Sequence, residues 1–243
     1  MRLANPYLVR LQEPKETIVF AAAQDIGQSG VQQDYFLNFN DECFVLADGM
    51  STKKSSEVAS KLACETAVWG YKHIRQHRFY FQDKKRFMKR IFRSTNLAVW
   101  QKQKEVGFEH GIATTLLVVM IGPKHYWVGH AGDTSAWYVH KGMAKKITKD
   151  HIDGNGMLEK AVGFKRLGLV PDFTTGELPN GDMLLLMTDG IEKYLTPSAI
   201  SRVVDTPIGD TADAKRRTAC LIEGAKAQGS TENMTVVLIA RVA

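Results

Sequence analysis

Hydrophobic positions change their period several times along the chain, and each change marks a predicted element. Residues 17–26, 35–40 and 43–47 are short runs rich in β-branched and aromatic side chains, closed by Gly, Asn or Asp, which predicts three strands. From residue 55 to about 76 the spacing turns helical. Val58, Ala59, Leu62, Ala63, Ala67, Tyr71 and Ile74 fall on one stripe, with Ser55 or Ser56 at the N-cap. A second helix is predicted over 83–105, where Met88, Ile91 and Ala98 form the apolar stripe. Three more strands, at 113–121, 125–130 and 136–140, read as an antiparallel meander with turns at Gly122-Pro123 and Gly132-Asp133-Thr134. Residues 150–163 read as a Gly- and Asp-rich loop. A five-residue apolar strand at 183–187, helices at 197–204 and 213–228, and a last strand at 234–242 complete the pattern. This succession predicts one α+β domain over residues 1–243, an α/β/β/α sandwich of two antiparallel sheets flanked by helices.

Composition narrows the class. With 44% hydrophobic and 24% charged residues, disorder and collagen-like repeats are excluded. No apolar run approaches the roughly 18 residues of a membrane helix, and no signal peptide is read at the N-terminus, so a cytoplasmic protein without a membrane partner is expected. Cys43, Cys64 and Cys220 are too few and scattered for a disulfide framework or a zinc site, which predicts a reducing compartment. The formal charge of +6 includes a basic set on the second helix: Lys84, Lys85, Arg86, Lys89, Arg90 and Arg93. These residues read as a solvated face, with a docking face for an acidic partner as the alternative and nucleic-acid binding as a minor one. The four tryptophans are read as core. The histidines have no ligand-like spacing and are read as satisfied surface or core residues.

Candidate chemistry lies at strand ends. Asp48, Asp133 and Asp189 each close or follow a hydrophobic strand beside a glycine, while Asp34 precedes one strand and Glu232-Asn233 precede the last. One Asp-Gly pair is ordinarily a turn. Several at one rim would bring together carboxylates that cannot all stay ionised without a cation. Hard oxygen donors without nearby His or Cys select Mg²⁺ or Mn²⁺, and a dinuclear site is expected.

The same residues fall in a recognisable order. The stretch from Gly27 to Asp34, the VLADGM block at 45–50 followed by EVAS at 57–60, GIATT at 111–115, GDTS at 132–135, ITKDH at 147–151, LLMTDG at 185–190 and STENMT at 230–235 together resemble the metal-dependent PPM/PP2C protein serine/threonine phosphatases. The resemblance runs from about Phe20 to Val242. It implies that Asp48 bridges two cations, that the Gly49 carbonyl binds one, and that Asp189 and Glu232 complete the ligands, with Asp34 acting directly or through water. It implies hydrolysis of phosphoserine and phosphothreonine on proteins by a metal-activated water, with Asp48 and Asp189 as the catalytic carboxylates and a phosphoprotein and its kinase as partners. Asp133 and Asn233 are then candidates for a third cation or for supporting the ligands.

The sequence departs from that pattern in places that concern turnover. Ser29-Gly30 stand where the family often has a phosphate-binding Arg, and Ser51-Thr52-Lys53 replace a segment that in some members carries a His. Lys53 is the candidate phosphate contact that remains. Lys193 occupies a position where a further Asp often helps to bind a third cation, and Glu232 replaces Asp. The segment between Asp150-His151 and Ala161 is short, where many members insert a flap. The alternative reading is therefore a pseudophosphatase, a metal-binding interaction module without efficient turnover.

Overall fold

The computed structural model describes residues 17–50, 55–76, 82–108 and 110–242. Eleven strands and five helices follow one another among these residues: β1 (Thr17–Asp25), β2 (Asp34–Phe39), β3 (Cys43–Met50), α1 (Ser56–Ile74), α2 (Lys84–Lys102), β4 (Ala113–Thr114), β5 (Leu116–Ile121), β6 (His125–Ala131), β7 (Ser135–His140), β8 (Met143–Lys146), β9 (Asp172–Glu177), β10 (Met183–Met187), α3 (Asp189–Glu192), α4 (Pro197–Val203), α5 (Thr211–Ala227) and β11 (Met234–Val242).

The strands form two sheets, β1-β11-β10-β7-β8 and β2-β3-β5-β6-β9, with β4 paired to β3, and every pairing is antiparallel. Side chains alternate across each strand, so a strand in a four-layer sandwich buries both faces. On β3, Phe44 and Leu46 point between the sheets while Cys43, Val45 and Ala47 point toward α1 and α2. On β11, Val237 and Ile239 enter the space between the sheets, and Val236, Leu238 and Ala240 face the layer of α3, α4 and α5. This double burial is why these strands read as unbroken apolar runs. The α/β/β/α sandwich predicted from the sequence is the observed architecture.

Three local expectations change. The meander is not one: β5 and β6 pair, but β7 crosses to the other sheet and lies between β10 and β8. The crossing is made at Gly132, whose φ of +118° is a glycine conformation and whose missing Cβ would stand 2.6 Å from Thr115 Cβ. Ser55 is the N-cap of α1 as expected, although in a left-handed conformation and without a side-chain cap bond. Trp69 is 60% exposed and stacks on His73 instead of entering the core. His130 is buried with neither ring nitrogen hydrogen-bonded, so it is not a satisfied core histidine.

Candidate metal centre and active site

The strand ends assemble the site. Asp34 opens β2 and lies directly opposite Asp48 in the β2–β3 register. Its carboxylate is 2% exposed and reaches across to the other sheet, where Oδ2 accepts hydrogen bonds from Thr188 Oγ1 at 2.9 Å and Thr235 Oγ1 at 2.7 Å. Thr188 and Thr235 are joined to each other at the ends of β10 and β11, through Thr188 N to Thr235 O at 3.0 Å and Thr235 N to Thr188 Oγ1 at 2.9 Å. Asp34 Oδ1 has no partner although it is buried. An unpaired anionic oxygen in that position is costly and calls for a cation or a proton.

Asp48 is fixed through its backbone. Its N–H donates to Thr115 Oγ1 at 2.9 Å, and its carbonyl accepts from Thr115 N at 2.9 Å and Thr114 Oγ1 at 2.8 Å. Gly49 follows because nothing larger fits: a Cβ there would lie 2.2 Å from the carbonyl oxygen of Ser56, at the start of α1. Gly190 is constrained likewise, with a Cβ only 2.1 Å from Asn233 O. That close approach sets the Asp189 turn against the loop carrying Glu232.

Asn233 uses both ends of its amide to hold the loop before β2, accepting from Gln33 N at 2.7 Å and donating to Ile26 O at 2.8 Å. It therefore positions Gln33 and Asp34. Ser29, Gln33, Asp48, Gly49, Met50, Asp189, Lys193, Glu232 and Asn233 line one cleft of about 360 Å³. A second cleft of about 580 Å³ shares Met50, Asp189 and Lys193 with it, and adds Asp133 and an apolar wall that includes Ile112, Met157 and Phe164. The short segment that replaces a longer flap is a tight turn, closed by the Ile152–Leu158 bridge and by Asp153 N to Met157 O at 2.8 Å. Lys53 lies outside the described residues.

The carboxylates perturb one another strongly. Burial, and then the charges of Asp34, Asp189 and Asp133, push the Asp48 pKa well above the ordinary carboxylate value. Burial raises Asp34 to about 6 against the pull of the Thr235 and Thr188 hydrogen bonds, and Asp189 adds to the rise. Asp133 also rises to about 6, through burial and then the charge of Asp189. Lys193 answers this field: its Nζ sits 2.6 Å from Asp189 Oδ2. Partial burial disfavours the ammonium, but the Asp189 hydrogen bond and the charges of Asp189, Glu232 and Asp133 outweigh it and raise its pKa.

Among the described residues no three His, Cys, Asp or Glu side chains stand close enough to enclose one ion. The donor set nonetheless suits hard divalent cations, being all oxygen, crowded with negative charge, and containing the unpartnered Asp34 Oδ1. Without metal, the Lys193 ammonium offsets part of that charge, and the raised pKa values of Asp34, Asp48 and Asp133 favour their protonated forms. The pair Thr188 and Thr235 went unread as functional in the sequence, although both lie in the motifs that supplied Asp189 and Glu232.

Two antiparallel sheets between helical layers, with acidic strand ends gathered at one rim, define the architecture of a metallophosphatase. Residues 23–223 match the family Protein phosphatase 2C, and the chain belongs to that family. It is a phosphatase of this type. Protein phosphatase PhpP from Streptococcus pneumoniae is 25% identical over 240 residues, covering 88% of this chain and 94% of its own. Serine/threonine protein phosphatase PstP from Mycobacterium tuberculosis is 25% identical over 237 residues, covering 90% of this chain and 44% of its own. Among solved structures, the PstP catalytic domain in complex with two manganese ions superposes with a TM-score of 0.75 at 23% identity, over 93% of this chain and 99% of its own. Stp1 from Staphylococcus aureus gives 0.80 at 21% identity, over 92% and 95%.

Proposed function

We propose that the chain removes phosphate from phosphoserine and phosphothreonine side chains of proteins, with two Mg²⁺ or Mn²⁺ ions held by Asp34, Asp48, the Gly49 carbonyl, Asp189 and Glu232. The observation that carries this reading is the group of mutually repelling, largely buried carboxylates, with an unpaired Asp34 oxygen, beside an open cleft. When bound, the cations supply an acidified water and offset charge on the phosphoryl group.

The chain's own residues supply the framework. Thr188 and Thr235 fix the second oxygen of Asp34, Thr114 and Thr115 fix the backbone of Asp48, and Asn233 holds the Gln33 turn. Lys193 lines both clefts and places a positive charge where an anionic phosphate enters. Asp133, which shares the second cleft with Asp189, is the candidate for a third cation or for supporting the ligands, and Lys53 is the further candidate for phosphate contact. The apolar wall around Met157 and Phe164 suits side chains of a protein substrate, in keeping with the relatives' names as protein phosphatases. A kinase that phosphorylates the same protein is the natural opposing partner. Unbridged Cys43 and Cys64 are consistent with a cytoplasmic site of action.

Hydrolysis of a chromogenic phosphomonoester and of phosphoserine and phosphothreonine peptides, in EDTA and then in Mg²⁺ or Mn²⁺, tests the proposal. Turnover that appears with metal and vanishes with EDTA is expected. Metal binding without turnover on any of these substrates would instead identify a pseudophosphatase, the alternative raised by Ser29-Gly30 and Ser51-Thr52-Lys53 in the sequence.

A further inference from the structure

Another polar cavity lies outside the carboxylate rim. It measures about 520 Å³ and opens where α2, β9 and the 147–149 segment meet. Four lysines line it, Lys85 and Lys89 one turn apart on α2 together with Lys146 and Lys149, against the single acid Asp172. Two of these charges are already committed. Lys146 is bound to Asp150 at 2.7 Å and Glu192 at 3.1 Å, and Asp172 is held by Lys160 at 2.6 Å with His151 Nε2 at 3.2 Å. Lys85, Lys89 and Lys149 are exposed and bear no such pairing among the described residues. The hydroxyls of Thr148 and Thr174 line the same space, and Ile147, Val170 and Phe173 give it an apolar wall.

The inner wall carries a second, independent sign. His130 lines the cavity, is 1% exposed, and has both ring nitrogens without a hydrogen-bond partner. Native structures rarely leave such a group unsatisfied, and those that do commonly reserve it for water or a ligand. His130 stacks on His151 with ring centroids 4.8 Å apart, and His151 Nδ1 lies 3.1 Å from the Gly132 backbone N–H, beside Asp133. An occupant would therefore sit two side chains away from the carboxylate cluster.

We propose that this cavity binds a compact anion bearing several adjacent phosphates, at a site separate from the metal centre. Three lysines with no ion pair among the described residues line one concavity, which suits two or three linked phosphates better than one. The volume falls within the roughly 300–1,000 Å³ of small-ligand sites. The apolar wall favours a nucleoside polyphosphate, while the lysines would accept an inorganic polyphosphate equally.

Calorimetric titration of the whole chain in EDTA with tripolyphosphate and, separately, with ATP tests this. EDTA keeps metal-bridged phosphate out of the carboxylate rim. Saturable one-site binding of tripolyphosphate is expected, weakening as salt rises. Lys85→Gln/Lys89→Gln should weaken it by about tenfold or more, since it removes two charge-assisted contacts to the phosphates. Tighter binding of ATP than of tripolyphosphate identifies the nucleotide as the occupant class, and equal binding identifies the bare phosphate chain. Lys61→Gln/Lys215→Gln removes the same charge from helices α1 and α5, away from the cavity. An equal loss in both double variants would reveal a diffuse basic field and overturn the proposal. So would the absence of binding by either anion at millimolar concentration, or binding of a phosphopeptide or RNA alone.

Discussion

Lys193 departs furthest from what a cation site requires, and its geometry limits how far it can obstruct one. Its Nζ lies 2.6 Å from Asp189 Oδ2, yet the lysine side chain is 53% exposed, and water screens such pairs to roughly 0.2–1 kcal/mol. A divalent cation can therefore displace it. Lys193→Met should tighten Mn²⁺ binding by up to about fivefold, as that energy implies, and Lys193→Asp should tighten it further. An unchanged Mn²⁺ isotherm in both variants would place Lys193 outside the metal's field. Asp189→Ala is expected to lower metal-dependent turnover by more than about 100-fold, because even groups that only support a ligand cost 10–100-fold. Its fold should persist, since removing one of four repelling carboxylates relieves the metal-free protein. Parental turnover in Asp189→Ala would end the mechanism. The acids themselves were legible because each stands beside a glycine at the end of an apolar run. The threonines that hold Asp34 were not, because a hydroxyl has no sequence pattern that tells solvent from a buried carboxylate.

The turns that carry these residues depend on close backbone approach. Gly190→Ala would place a methyl 2.1 Å from Asn233 O, a backbone atom that cannot rotate away. A loss of roughly 1–3 kcal/mol in a denaturant melt is expected from such overpacking, together with loss of activity as Asp189 and Glu232 separate. Along β6, burial holds the His130 imidazole near pKa 3, below its usual 6.5. The unfolded chain takes up a proton below about pH 6.5 that the folded chain refuses, so this residue costs stability as pH falls from there toward 3. His130→Leu should flatten the acid limb of a stability–pH curve by roughly 2–3 kcal/mol between pH 6.5 and 4.5. Parallel curves for the two proteins would show that His130 is hydrated. Strand and helix positions followed from periodicity to within a few residues for most elements, because α1 and α2 each bury one stripe and β3, β10 and β11 bury both faces. Strands β8 and β9 escaped notice because they lie at sheet edges, where MAKK and DFTTGE carry little apolar signal. The crossing of β7 was invisible for another reason: Gly132-Asp133-Thr134 looks like a hairpin turn whichever sheet receives the next strand.

At the scale of the molecule, the two sheets meet at the site through Asp34, and charge there sets how the metal-free protein responds to pH. Asp34 and Asp133 ionise near 3.8 when unfolded but hold their protons to about 6 in the fold. Their contribution is full below about pH 3.8 and is lost as pH rises through 6. In EDTA, the His130→Leu protein should therefore melt at a higher temperature at pH 5 than at pH 7.5, with the opposing histidine removed. Mn²⁺ at pH 7.5 should restore the loss, by about 2.7 kcal/mol for each site filled at 100 times its Kd. A melt that is indifferent to both pH and Mn²⁺ would separate these carboxylates from any cation. The order β1-β11-β10-β7-β8 has a consequence for synthesis. The last strand is an inner one, bonded on one side to the first strand and on the other to β10, and the loop before it carries Glu232 and Asn233. A nascent chain that has emerged only as far as α5 holds Asp34, Asp48 and Asp189 but has no strand to join β1 to β10. Until residues 234–242 are made, the β1 and β10 edges have no strand between them, so truncation before β11 should leave the Glu232 side of the cleft unformed.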